Sequence, residues 1–176
     1  RDANKRFGFS AKETLNIMQS LYEHHKVLTY PRTDSRYIGT DIVPTIKERL
    51  KACNIGPYKK YIPELLKKPL KTSKAFVDDK KVSDHHAIIP TEQAPNYMSN
   101  NERKIYDLVV RRFISVLYPA FEYEQTTLKA EAAGETFTAK GKVIKAAGWK
   151  AVYADAASSG SSASQYDAYG DYEDSE

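Results

Sequence analysis

The apolar residues of this chain change period at Pro119, and that change decides the class of fold. Before it they recur every three or four residues. After it, in "TTLKAEAAGETFTAKGKVIKAAGW", they alternate with polar ones. The first pattern lays a stripe along a helix and the second lines one face of a strand. The chain is therefore expected to be α+β, with a mainly helical domain over residues 1–121. A few antiparallel strands over residues 122–154 then form part of an incomplete β domain, with a turn near Ala133-Gly134. A lone hairpin is marginal in water, so the other members of its sheet are expected outside this chain. Arg1 is likewise read as a point within a longer protein, because "RDANKRFGFS" has neither a methionine nor the apolar core of a signal peptide.

The helical part can be divided by its punctuation. Ser10 with Glu13 is a capping box at the start of "SAKETLNIMQSLYEHH", and Leu15, Met18 and Tyr22 repeat at helical spacing behind it. This helix is predicted to end near His25. Val27 to Tyr30 is then extended, because Pro31 pushes Tyr30 out of the α region. A second helix is expected from Thr40 or Asp41, with Pro44 in its first turn and Ile42, Ile46 and Leu50 as its apolar stripe. "PYKKYIPELLKKP" reads as a short basic helical segment broken by Pro63 and Pro69. Ser99 and Glu102 repeat the capping box before a face of Ile105, Leu108, Val109, Phe113, Val116 and Leu117, and Pro119 stops that helix.

Charge is distributed unevenly. From Asp155 onward there are six acidic residues and no basic ones, in a low-complexity stretch with no aliphatic residue but alanine, so residues 155–176 are expected to be a disordered tail. Residues 1–154 carry 27 basic and 17 acidic residues, a net of +10. Such a body suits a polyanionic partner, although proteins that never touch nucleic acid also reach that charge. Cys53 is the one cysteine, which excludes an internal disulfide framework and a cysteine-based zinc site and fits a reducing compartment. No apolar run approaches the roughly 20 residues that cross a bilayer, and no membrane partner is expected.

Chemistry is concentrated in "VLTYPRTDSRYI". A phenol is a poor nucleophile at neutral pH because its ordinary pKa is about 10. To attack a phosphodiester it needs a neighbouring cation that also neutralises the charge building on the phosphate. Arg32 stands two residues beyond Tyr30, so on an extended backbone both side chains point to one face, and a guanidinium can hold a phosphate through two bonds. Thr29, Thr33, Asp34 and Ser35 add groups that can fix the loop or touch phosphates. The competing reading is a tyrosine packed on the first helix with a surface turn after it, and spacing alone favours that one.

The second cluster is "SDHHAIIPT". Adjacent histidines point in different directions and no third ligand stands at usable spacing, so a metal site is not expected. A protonated histidine on a phosphate, with Asp84 favouring the charged form, fits better. A histidine pair capping a turn before the buried "AII" is the alternative.

Taken together, "LTYPRTDSRYI" and "DHHAIIPT" resemble the central region of a type IA DNA topoisomerase, and the topoisomerase III branch fits best. The likeness continues through "RFGFSAKETLNIMQSLYE" and "GKVIKAAGWKAVY", covering residues 1–154. The resemblance implies that Tyr30 attacks one DNA strand to form a 5′-phosphotyrosyl bond and that Arg32 positions the scissile phosphate. It also implies that His85 contacts DNA, with Thr29, Asp34, Arg36 and Thr91 as further DNA-binding positions. Strand passage and resealing would follow without ATP, giving relaxation or decatenation in a bacterial cytoplasm. Magnesium would be bound in the intact enzyme outside this chain, by an acidic lobe preceding it, and none is expected here. The expected partners are DNA, mainly single-stranded, and the remaining domains of the parent enzyme. The fragment alone is expected to bind single-stranded DNA weakly and not to cleave it. Two alternatives stand beside this one. A tyrosine recombinase or type IB enzyme forms a 3′-phosphotyrosyl bond, but spreads its basic residues ahead of a late tyrosine. A non-catalytic DNA-binding module would follow if Tyr30 were buried.

Overall fold

Two helix starts, at Ser10 and Ser99, are set by local side-chain hydrogen bonds. The computed structural model describes residues 1–119 and 122–154, so the acidic tail expected over residues 155–176 lies outside the described residues. Helix α1 (Asp2–Phe7) ends at Gly8, whose φ of 71° is the left-handed conformation that glycine adopts without a Cβ clash. Helix α2 (Ala11–Glu23) begins at Ser10. The Ser10 hydroxyl accepts the Glu13 N–H at 3.1 Å, and the Glu13 carboxylate accepts the Ser10 N–H at 2.9 Å. A 3₁₀ turn over Val43–Thr45, with Pro44 in it, leads into α3 (Ile46–Ala52). A second 3₁₀ segment, Gly56–Lys60, precedes α4 (Ile62–Lys67). Pro63 sits in the first turn of α4, where its missing N–H has no helical partner to lose, so it starts this helix where the sequence reading had it break one.

Helix α5 (Asn100–Leu117) packs against α2 and α1. The core draws Leu21 from α2, Ile46 and Leu50 from α3, Ile62 from α4 and Val110 and Ile114 from α5, all fully buried. Both long helices bury a face rotated from the expected one. In α2, Leu21 is buried while Leu15 and Met18 are only half-buried and Tyr22 is exposed. In α5, Ile105, Phe113 and Leu117 are buried as expected, but Tyr106, Val110 and Ile114 are buried as well, and Leu108, Val109 and Val116 are partly open. A helix touched on several sides buries a wide arc, and the neighbours decide where that arc is centred.

Glu102 does more than cap its own helix. Its Oε2 accepts the Ser99 N–H at 2.9 Å and lies 3.1 Å from His25 Nε2, while Oε1 accepts the Ser20 hydroxyl at 2.9 Å. One carboxylate thus joins the start of α5 to the end of α2. Burial pushes its pKa up, but the bonds from Ser99, Ser20 and His25 outweigh burial and leave it below the usual value of 4.5. A carboxylate depressed in the folded state stabilises above its unfolded pKa, and that contribution is lost as pH falls through the folded value. Urea midpoints are therefore expected to fall as pH drops below 4.5. Glu102→Gln, whose amide oxygen can still accept the Ser99 N–H, should flatten that fall. An identical acid dependence in the variant would assign the effect to other carboxylates.

Contacts divide the chain into two compact units, Arg1–Leu117 and Tyr118–Glu176. Among the described residues the second unit is led by a hairpin of β1 (Glu122–Ala132) and β2 (Glu135–Ala146). Ala132 pairs with Glu135, leaving Ala133 and Gly134 as the connection, both at positive φ (52° and 78°). That is the backbone a two-residue hairpin turn requires, and Gly134 adopts it at no steric cost. The register puts Leu128 opposite Ala139, Ala130 opposite Phe137 and Glu124 opposite Val143 on one face. The other face pairs Gln125 with Lys142 and Thr127 with Lys140. Leu128, Phe137 and Val143 are 67%, 55% and 60% exposed, so the apolar face of the hairpin is open. No helix among the described residues is long and apolar enough to cross a membrane.

Candidate active site

The segment after α2 turns back sharply onto the helix it has just left. His24 N–H and His25 N–H both donate to Ser20 O, Lys26 takes a positive φ of 57°, and Val27 N–H returns to Leu21 O at 3.0 Å. Val27 and Leu28 are then buried. Leu28 forms an antiparallel bridge with Pro90, Thr29 N–H donates to Ile89 O at 3.0 Å, and Thr91 N–H donates to Val27 O at 3.0 Å. The two sequence clusters are therefore neighbours in a short backbone ladder.

Side chains complete the joint. The Thr29 hydroxyl accepts the Ile89 N–H at 2.9 Å and donates to Ala87 O, while the Thr91 hydroxyl donates to Lys26 O at 2.6 Å. Thr33 donates to His85 O at 3.0 Å, and Ser35 donates to Lys81 O at 2.8 Å. Arg49 of α3 reaches Pro90 O at 2.9 Å from the other side. Thr29 and Thr91 therefore hold the two clusters together through the backbone.

Tyr30 leaves this ladder half-buried. Its ring lies 4.2 Å from the His85 ring between centroids, tilted by 33°, and the Tyr22 ring meets it edge-on at 5.5 Å. Edge and face contacts of this kind hold an aromatic ring in one plane. Tyr30 lines a cavity of about 230 Å³ with Thr29, Gly39, Asp41, Asp84, His85 and His86. A Cβ on Gly39 would collide with the Asp41 carboxylate, so glycine is what lets Asp41 sit in this wall.

Arg32 is exposed and lines a second cavity, of about 300 Å³, with Thr33, Asp34, Ser83, Asp84 and His85. Tyr30 and Arg32 thus do not share one cavity; they stand on the two sides of Asp84 and His85. Alternation along an extended strand would put them on one face, but the chain bends at the buried Pro31 and breaks that alternation. Asp34 is exposed at the second cavity, and Arg36 is exposed but lines neither. Sequence reasoning passed over Tyr22 and His86. Tyr22 looked like one member of a helical stripe, and His86 stood beside the histidine whose motif position drew attention.

Among the described residues no group of three or more His, Cys, Asp and Glu could hold a metal ion. The described residues do not by themselves make a magnesium site.

A sequence family described as DNA topoisomerase matches residues 1–170 of the chain. The chain is 66% identical over 155 residues to DNA topoisomerase 3 of Bacillus cereus, covering 87% of this chain and 21% of that protein. It is 59% identical over 155 residues to DNA topoisomerase 3 of Bacillus subtilis, with the same coverage of 87% and 21%. Among solved structures it is similar to full-length topoisomerase I from Thermotoga maritima. That match has a TM-score of 0.56 and 25% identity, and covers 87% of this chain and 25% of that one. The chain spans about a fifth of the length of the curated relatives it matches (21%).

Proposed function

The chain belongs to the DNA topoisomerase family, with its likeness to the type IA enzymes and within them to topoisomerase 3, and we propose that Tyr30 is its strand-cleaving nucleophile. The observation that carries this reading is the stacking of the Tyr30 ring on His85 at 4.2 Å, at the meeting point of the two clusters. Tyr30 Oη attacks a backbone phosphorus, an Oη–P bond forms and the P–O3′ bond breaks. The products are a 5′-phosphotyrosyl ester and a free 3′-hydroxyl. Because the new ester stores the energy of the old one, the 3′-hydroxyl can reverse the step without ATP. Arg32, in the second cavity, supplies positive charge to the phosphate as its charge rises, and His85, which borders both cavities, supplies a donor.

The strand held there is single-stranded DNA, passed along a net-basic body. Magnesium and the remaining machinery belong to the four-fifths of the enzyme beyond this chain, whose β domain covers the open face of the hairpin. The setting is the cytoplasm of a bacterium. By itself the chain binds DNA weakly and does not relax supercoils.

The test is to trap the covalent complex formed on a labelled oligonucleotide by the full-length enzyme carrying this chain. Label retained through the 5′ phosphate supports the reading. Label joined through the 3′ phosphate would replace it with a recombinase-like reaction. Binding gives a second check. Arg32→Ala should weaken binding of an oligothymidylate and lower the slope of log K against log salt by about one. Removal of residues 155–176 should tighten binding at low salt. Equal binding by all three proteins across a salt titration would count against a DNA-binding role for this face.

A further inference from the structure

Neither Arg32 nor His85 accounts for the proton that Tyr30 must lose. We propose that His86 accepts it, a role that rests on Tyr30 being the nucleophile. His86 is half-buried and lines the same cavity as Tyr30. Its Nδ1 lies 2.6 Å from Ala87 O. A carbonyl oxygen only accepts, so Nδ1 carries a hydrogen, and in the neutral ring the lone pair is then on Nε2. A base whose free lone pair is fixed by a carbonyl, in the cavity that the nucleophile lines, supplies the base and orienter of a nucleophile–base–orienter set.

The orienting carbonyl is itself anchored. Ala87 N–H donates to Tyr37 O at 2.8 Å, and Ala87 O also receives the Thr29 hydroxyl from the residue next to the nucleophile. His85 is placed differently. Its ring lies against the Tyr30 ring and borders both cavities, which suits it to the phosphate. Asp41 and Asp84 line the Tyr30 cavity and put negative charge where the imidazolium forms.

As the Oη–P bond forms, the phenol proton passes to His86 Nε2. The P–O3′ bond breaks, and the departing oxygen keeps the electron pair and takes a proton from water. On resealing, the 3′-hydroxyl gives its proton to water, attacks phosphorus, and the imidazolium returns a proton to Oη.

In the full-length enzyme, His86→Ala is expected to slow adduct formation about 10²-fold or more, the range of general acid–base assistance. His86→Asn retains an N–H for Ala87 O but no base, and should be as slow. Added imidazole should restore part of the rate to His86→Ala. Replacing Tyr30 by 3,5-difluorotyrosine, a more acidic phenol, should shrink the loss caused by His86→Ala. Near-normal cleavage by either variant would overturn the proposal. So would a loss that neither imidazole nor the fluorinated tyrosine relieves, since that marks a structural role. Failure of Tyr30 itself is separable: an adduct formed by Tyr30→Phe would overturn the nucleophile assignment, whatever His86 does.

Discussion

Tyr30→Phe in the full-length enzyme carrying this chain is expected to abolish the covalent adduct entirely while leaving the fold intact. Phenylalanine keeps the ring that stacks on His85 at 4.2 Å and meets Tyr22 at 5.5 Å. It removes only the hydroxyl oxygen, the one atom of the side chain able to form a phosphate ester. A packing tyrosine would tolerate the exchange, because the apolar contacts are unchanged. The two roles therefore separate cleanly. Adduct formation on a labelled oligonucleotide should fall below detection, while the urea midpoint moves by less than about 0.5 kcal/mol in stability, the usual limit for changes away from buried features. DNA binding should persist, since Arg32 and His85 remain. A normal adduct from the phenylalanine variant would remove Tyr30 from the mechanism.

Asp107→Ala is expected to destabilise the chain far more than an exchange on its surface would. Arg111 is buried, and its Nε donates to both carboxylate oxygens of Asp107, at 2.9 and 3.0 Å. The same carboxylate accepts the buried Tyr58 hydroxyl at 2.8 Å, and the guanidinium lies 5.7 Å from the Tyr58 ring centroid. Burial, and then the Asp107 charge, push the Tyr58 pKa far above its ordinary value, so the hydroxyl remains a donor. One aspartate thus ties α5 to the Gly56–Lys60 segment and balances a charge that has left water. Breaking a buried pair by removing one partner costs about 3–5 kcal/mol. Asp107 is 26% exposed, which points to the low end, about 3 kcal/mol. Urea unfolding of the chain measures it directly. A cost under about 1 kcal/mol would put Asp107 with surface ion pairs.

What could be read along the sequence were the features whose partners lie within a few residues. Both capping boxes, Ser10 with Glu13 and Ser99 with Glu102, form at the expected positions because an i to i+3 bond depends only on local backbone. The hairpin and its Ala133-Gly134 turn follow from alternation and a glycine at the right place. The class of fold follows from the change of period at Pro119. The segment holding Tyr30 was legible for the same reason, since Pro31 restricts the residue before it.

Tertiary structure decided the rest, because it depends on which residues meet across distances the sequence does not encode locally. Periodicity says that a helix has a buried face, but the neighbours chose Leu21 over Tyr22 and Val110 over Val109. That choice left Tyr22 free to meet Tyr30 edge-on. Glu102 reads as a cap, yet only folding brings it Ser20 and His25. Arg111 looks like an exposed member of a charged pair until the Gly56–Lys60 segment closes over it. Two residues apart in sequence, Tyr30 and Arg32 border different cavities because the chain bends at Pro31, while His85, 55 positions from Tyr30, stacks on its ring. Chain order determined the chemistry available to this site; the pairing of residues 27–29 with the 87–91 segment determined which of those groups stand together.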